Sequence, residues 1–207
     1  MKHEWKKSEK NFYVPKNKPE KIVIPKFQFY SIKGKGNPND SFFSEYIGVL
    51  YSLSYSIKMS SKSGPFIQNY YDYAVYPLEG VWDIDEISKA KGIKAFDKNS
   101  LVFNIMIRQP EFVTKEIASE IIDRTKKKKP HELLDSVQFE MIEEGACVQM
   151  LHHGSYDDEP ESFNQMESFA IEHNLKRKYH VHREIYLSDA RKTIPEKLKT
   201  VLRFQVE

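Results

Sequence analysis

The sequence predicts an α+β fold of two pseudo-symmetric βαββ modules. Their strands form a curved antiparallel or mixed sheet, with the helices on one face and a ligand cleft between the modules. Three observations predict it. Residues 27–110 read strand, helix, strand, strand, and residues 137–206 read in the same order. Residues 41–60 carry apolar side chains at helical spacing, whereas the flanking segments alternate with period 2. A helix that hides one stripe and a sheet that hides one face satisfy each other by packing in layers.

Taken in order, residues 1–26 are rich in lysine and contain Pro15, Pro19 and Pro25, so they read as an arm ahead of a single domain spanning 27–206. Phe27–Lys33 alternates as a strand, and the loop Gly34–Asp40 ends in a helix cap. Phe43, Tyr46, Ile47, Leu50, Leu53 and Ile57 then line one face of a long helix. After the breaker Ser63-Gly64-Pro65, the aromatic alternation of Tyr70–Glu79 predicts a strand reaching Trp82. Residues 83–99 read as a polar connection or short helix, and Leu101–Arg108 as a strand stopped by Pro110. A linking helix follows at about 113–129, with Thr114 as its cap. The second module runs from the strand Ala146–His152 through a helix at 160–173 to strands at 180–187 and 200–206.

Composition narrows the function. A net charge of +2, from 32 basic and 30 acidic residues, argues against nucleic acid as a direct partner. The run Lys126–Lys129 closes a helix, where cations complement the macrodipole, and reads as solvated surface. No apolar run approaches the roughly 20 residues of a membrane span, and no hydrophobic signal region follows the start. The reading is a cytoplasmic protein without a membrane partner. Cys147 stands alone inside an apolar strand, which excludes an internal disulfide and suits a buried inert thiol.

Chemistry concentrates between Glu144 and Asp189. In the strand around Arg183, Val181, Arg183, Ile185 and Leu187 fall on one side, and His180, His182, Glu184 and Tyr186 on the other. A purely structural strand has no reason to collect that second row. His180 and His182 share a face, and His152 with His153 could approach from a neighbouring strand, but no Cys or acidic cluster completes a site, so neither a metal nor a cofactor is expected. No G-x-S-x-G elbow occurs, and Gly34-Lys-Gly36 leads into a proline loop rather than a phosphate cradle.

Four segments carry a resemblance: Gln149–Pro160, His182–Asp189, Pro77–Trp82 and Thr200–Phe204. Together they resemble the GyrI-like small-molecule-binding family, which includes gyrase-inhibitor-type proteins and the drug-binding halves of bacterial multidrug regulators. The resemblance spans roughly residues 27–206 and implies the two-module fold with its central cleft. In the regulators a buried glutamate on the penultimate strand meets cationic aromatic drugs, and Glu184 matches that position. Residues 1–26 cannot supply the regulators' DNA-binding domain, so the chain is read as similar to a stand-alone branch, the cyclopropanoid hydrolases. Those enzymes open the cyclopropane of DNA-alkylating toxins by adding water, a detoxification.

That expectation assigns roles. Glu184 is the first candidate for general base and Glu79 the second, each made more basic by an apolar cleft. Tyr186 is the candidate donor to the carbonyl oxygen on which charge develops. Trp82, Tyr76, Tyr156 and Phe103 offer flat surface to a hydrophobic or aromatic, often cationic, small molecule, and His182 lies beside them in the expected ligand site. Each also has a plainer reading: Glu184 paired with a basic side chain, Glu79 as an exposed strand end, and the aromatic residues as packing. The alternative function is non-catalytic drug binding or sequestration, or a sensor module, for which the same carboxylates and rings would serve.

Overall fold

The computed structural model describes residues 2–90 and 98–207. Its helices are α1 (Trp5–Ser8), α2 (Lys10–Tyr13), α3 (Ser41–Lys58), α4 (Ser60–Ser63), α5 (Glu86–Ala90), α6 (Lys115–Lys128) and α7 (Glu159–Glu172). Its strands are β1 (Glu20–Lys35), β2 (Leu78–Ile84), β3 (Leu101–Gln109), β4 (Gln138–His153), β5 (His182–Tyr186) and β6 (Lys199–Gln205). The α+β class therefore holds, with antiparallel pairing of β1 with β3, of β4 with β6 and of β5 with β6.

The expected curved sheet of two βαββ modules is corrected. The strands bond in the order β1-β3-β2-β5-β6-β4 and close into a barrel. The reason lies in β1 and β4, which are 16 residues each, about twice the expected length. Lysines and Pro25 disguise the first half of β1, and Glu140, Glu143, Glu144 and Gly145 disguise that of β4. Closure pairs backbone groups that an open sheet would leave at its edges.

A second difference concerns Tyr70–Pro77, which is not a strand, since β2 begins at Leu78. Pro77 has no N–H to offer a ladder. The backbone of this segment is tied instead by His3, whose N–H donates to the Asp72 carbonyl at 2.7 Å and whose carbonyl accepts from Ala74 at 2.8 Å. Tyr73 and Tyr76 are buried, so their alternation records packing rather than a sheet.

The chain divides into two compact units. The first holds Phe27–Leu78 and Trp82–Ile142, together with His3. Here α3 packs on β3 and α6 and buries Leu50, Leu53 and Ile57. Thr114 caps α6 by accepting from the Ile117 N–H at 3.3 Å, and Lys126 in its last turn pairs with Asp135 at 2.6 Å.

The second unit holds Glu4–Lys26, Glu79–Val81 and Glu143–Glu207. Its core joins Val148 and Met150 of β4, Met166 and Ala170 of α7, and Leu202 and Phe204 of β6. The Val, Met, Leu and Phe side chains among these each contribute about 1.5–3 kcal/mol by leaving water. Trp5 and Tyr13, from the two short leading helices, are buried in this unit and meet at a ring separation of 5.2 Å.

Candidate functional site

The site is built on β5. Burial along His182–Tyr186 alternates as the sequence requires, with Arg183 and Ile185 buried and His182, Glu184 and Tyr186 partly open. Three residues spaced by two along a strand share one face, so Glu184 is gripped from both directions. His182 Nε2 lies 2.9 Å from Glu184 Oε1, and the Tyr186 hydroxyl donates to Oε2 at 2.8 Å. The Phe163 ring packs edge-on against the His182 imidazole at 4.7 Å, and Tyr156 against Tyr186 at 6.0 Å. Each carboxylate oxygen keeps a further lone pair for another donor.

A residue that sequence reasoning missed completes the group. After β4 the chain turns at Gly154, whose φ of 128° is costly for a residue with a side chain. Ser155 then accepts from the Asp157 N–H at 3.2 Å, and the chain enters α7 with Glu159 in its first turn. Glu159 is 6 % exposed, and its Oε1 has no hydrogen-bond partner among the described residues. One ligand-type atom each from Glu159, His182 and Glu184 lie within 4.8 Å of one another. Burial pushes the Glu159 carboxyl up to about 10, with further upward pressure from Glu184 and then Asp157. The helix N-terminus favours the anion there, but desolvation wins. Burial also pushes the Tyr156 phenol up to about 12, with Glu184 and Glu159 adding to it. A signal for Glu159 was present in the sequence: three consecutive acids before Pro160 mark a helix start.

Glu79 belongs to a different constellation, behind β5. Arg183 Nη1 donates to Glu79 Oε2 at 2.7 Å, and the Tyr13 hydroxyl reaches Oε1 at 3.4 Å. Arg183 Nε pairs with Glu144 Oε1 at 2.9 Å, and Arg203 Nη1 with Glu144 Oε2 at 3.1 Å. Arg203 also donates to Gln149 Oε1 at 2.9 Å and to the Phe12 carbonyl at 2.7 Å. Burial raises the Glu79 carboxyl against the pull of Arg183 and Arg203. For Glu144 burial is again the largest influence and acts upward, but Arg183 and Arg203 together hold it below its ordinary value. Because Arg183 and Glu184 are adjacent in a strand, Glu79 and Glu184 serve opposite faces of β5.

The structure thus brings Glu184, Tyr186, His182 and Tyr156 together and adds Glu159. It does not bring Glu79 to them. Trp82, Phe103 and Tyr76 lie in the first unit. Trp82 and Phe103 pack with Phe43 at ring separations of 5.8 and 5.1 Å, and with each other at 5.5 Å. Tyr76 lies under the Arg108 guanidinium at 4.6 Å. The Tyr186 proton, expected on a ligand carbonyl, is directed at Glu184.

His152 is also occupied, with Nδ1 2.9 Å from Ser162 Oγ and Nε2 2.9 Å from the Ser155 carbonyl. A nitrogen and two carboxylate oxygens from His182, Glu159 and Glu184 are the donor set able to hold a divalent cation. A separate hollow of about 270 Å³ in the first unit, beside Glu45 and His131, carries none of the candidate residues.

Residues 17–207 match the profile of the GyrI-like small molecule binding domain. Two hydrolase structures from Listeria innocua are each 36 % identical to this chain, with full coverage of both chains and TM-scores of 0.89 and 0.91. The C-terminal domain of EcmrR is 16 % identical over 92 % of this chain and 97 % of its own, with a TM-score of 0.54, which shows a shared fold. Comparison with curated proteins returns no match. No helix among the described residues is long and apolar enough to cross a membrane. The chain belongs to the GyrI-like small molecule binding domain family.

Proposed function

We propose that the protein binds a hydrophobic or aromatic small molecule at the β5–α7 site and hydrolyses an electrophilic, cyclopropane-bearing toxin, with Glu184 as general base. One observation carries this reading: Glu184, oriented on both oxygens by His182 and Tyr186, shares its surroundings with a second carboxyl, Glu159, within 4.8 Å. A lone carboxylate walled by rings would suit a binder alone. Two carboxyl oxygens this near each other can share one water, since a water hydrogen-bonded to both at about 2.8 Å each reaches across roughly 4.5 Å. The full-length likeness to the two Listeria innocua hydrolases supports hydrolysis.

The reaction balances without a cofactor. Glu184 removes a proton from water as the oxygen attacks the ring CH2, and the breaking C–C bond sends its electron pair through the conjugated system to the carbonyl oxygen. That oxygen takes a proton from solvent, Glu184 later returns its own, and the product is the substrate plus water. Glu159, kept protonated by burial, donates to the bridging water or to Glu184 and avoids a second negative charge in the site.

Turnover of a cyclopropane-bearing DNA alkylator in 18O-labelled water, followed by mass spectrometry, tests the reading. The wild type is expected to yield a labelled water adduct over many cycles, and Glu184→Gln to lose about 10²–10⁴-fold in rate. Saturable binding with no adduct from the wild type would leave the alternative, a small-molecule-binding or sequestering protein.

A further inference from the structure

Glu159, His182 and Glu184 each offer one ligand-type atom, and the three atoms lie within 4.8 Å of one another. His182 Nε2 is 2.9 Å from Glu184 Oε1. Two neighbouring ligands of one ion are that far apart when their bonds to it are about 2.0–2.2 Å long and meet near a right angle. Glu159 supplies an independent observation. Its side chain is 6 % exposed, and its Oε1 has no hydrogen-bond partner among the described residues. A buried oxygen left in that state is costly until something binds it.

The neighbours of these donors hold them in place. Tyr186 donates to Glu184 Oε2 at 2.8 Å, and the Phe163 ring packs edge-on against the His182 imidazole at 4.7 Å. Outer contacts of this kind fix the direction in which a ligand's lone pair points. His152 is not a fourth ligand, because its two nitrogens are engaged by Ser162 Oγ and the Ser155 carbonyl.

We propose that Glu159, His182 and Glu184 bind a divalent ion of the zinc class, through one oxygen of each carboxylate and Nε2 of the imidazole, with a fourth position open to water. The sequence offers no short-spaced acidic ligand for the histidines, and α7 supplies it by bringing Glu159 to β5. Two carboxylates neutralise a divalent ion, so no buried charge is left uncompensated. Nε2 binds through a bare lone pair, and Nδ1 then carries the ring proton. Ca2+ takes about six to eight oxygen ligands, and Mg2+ a near-ideal octahedron that keeps several waters. Three donors, one of them a nitrogen and one almost fully buried, serve neither as well as they serve zinc. The inference does not rest on the hydrolase reading, since metal binding is measured without substrate. It bears on that reading all the same, because a Glu184 lone pair given to the ion is not free to take a proton from water.

Chelator-stripped protein without an affinity tag, titrated with Zn2+ against a chromophoric indicator, tests the site. The expected result is about one zinc per chain at micromolar or tighter affinity, with Tm raised by Zn2+ and not by Mg2+. Co2+ should give the intense visible bands of a four-coordinate ion, not the faint ones of the hydrated ion. Glu159→Gln, His182→Gln and Glu184→Gln should each weaken zinc binding by more than the roughly 10–100-fold that an outer partner is worth, whereas Tyr186→Phe should stay within that range. His131→Gln, which alters a histidine facing Glu45 at 3.7 Å in the first unit, should bind zinc as the wild type does. The cobalt spectrum needs no variant, so it tests the donor set even where a variant does not fold.

No stoichiometric zinc at micromolar concentration, a six-coordinate cobalt spectrum, or zinc affinity unchanged in folded Glu159→Gln each overturns the proposal. Failure here with water adduct still formed in the turnover assay leaves the hydrolase reading standing. Zinc held by the three ligands, with no adduct from metal-free or zinc-loaded protein, retains this inference and removes that one.

Discussion

Glu159 and Glu184 bring carboxyl oxygens within 4.8 Å of each other, although one is carried in the first turn of α7 and the other by β5. They are held differently. Glu184 has a ring nitrogen and a phenol on its two oxygens, whereas Oε1 of Glu159 has no hydrogen-bond partner among the described residues. Two chemically identical groups thus sit in unlike surroundings, and burial raises the Glu159 carboxyl, with the Glu184 charge adding to the rise.

The first prediction concerns pH and stability. Burial raises the Glu159 carboxyl from its ordinary 4.5 to about 10, so the folded chain holds this proton more tightly than the unfolded chain does. The resulting stabilisation is fully present below pH of about 4.5, declines as pH rises, and is lost above about 10. Glu159→Gln, which cannot ionise, should therefore gain stability relative to wild type as pH rises from 5.5 to 9.5. Thermal melts across that range check it, and a constant difference in Tm would show that the carboxyl titrates alike in both states.

A second prediction separates Tyr186 as a ring from Tyr186 as a donor. Its hydroxyl donates to Glu184 Oε2 at 2.8 Å, a hydrogen bond to a charged group worth about 1.5–3 kcal/mol. Tyr186→Phe keeps the ring that Tyr156 packs against and loses only the donor. In steady-state kinetics on the alkylator, kcat should fall roughly 10- to 100-fold with little change in KM. A loss confined to KM would mean that the phenol contacts the ligand and does not orient the base.

The sequence made β5 legible because period 2 alone sorts His182, Glu184 and Tyr186 from Arg183 and Ile185, and burial follows that sorting. It was equally clear for α3 and α6, where spacing and the Thr114 cap suffice. It failed for barrel closure, because half of β1 and half of β4 carry lysines, glutamates, Pro25 and Gly145, which hide a strand whose partners lie far away in the chain. Glu159 was hidden for a related reason. Its importance depends on α7 delivering it to β5, a tertiary fact that no local pattern encodes. Glu79 looked like a strand-end carboxylate because its partners, Arg183 and Tyr13, are 104 and 66 residues away.

The third prediction tests whether the Glu79–Arg183–Glu144 constellation is structural. Arg183 and Arg203 lie directly opposite each other in the β5–β6 register, a like-charge pairing that would be unfavourable alone. Glu144 lies between them, pairing with one guanidinium through each oxygen. Arg183→Met leaves Glu79 and Glu144 buried and short of a counter-charge, which should cost about 3–5 kcal/mol in urea denaturation. Adding Glu79→Leu should recover much of that loss. If the double variant were no more stable than Arg183→Met, the pairing of Arg183 with Glu79 would not be what fixes this side of β5.

The last prediction uses Cys147, which lies in β4 opposite Gln205 of β6 and is fully buried. Burial pushes its thiol up to about 12, and the negative charge of Glu144 adds to the rise. At pH 8 the thiolate fraction is therefore minute and access is blocked, so a thiol reagent can react only through opening of the β4–β6 pair. Native protein should resist 5,5′-dithiobis(2-nitrobenzoate) for hours and consume one equivalent at once in denaturant. Fast stoichiometric labelling of the native chain would show that β4 and β6 separate readily. Arg203, which reaches Gln149 and Glu144 across that same pair, would then be a weak clasp rather than the firm one its three partners suggest.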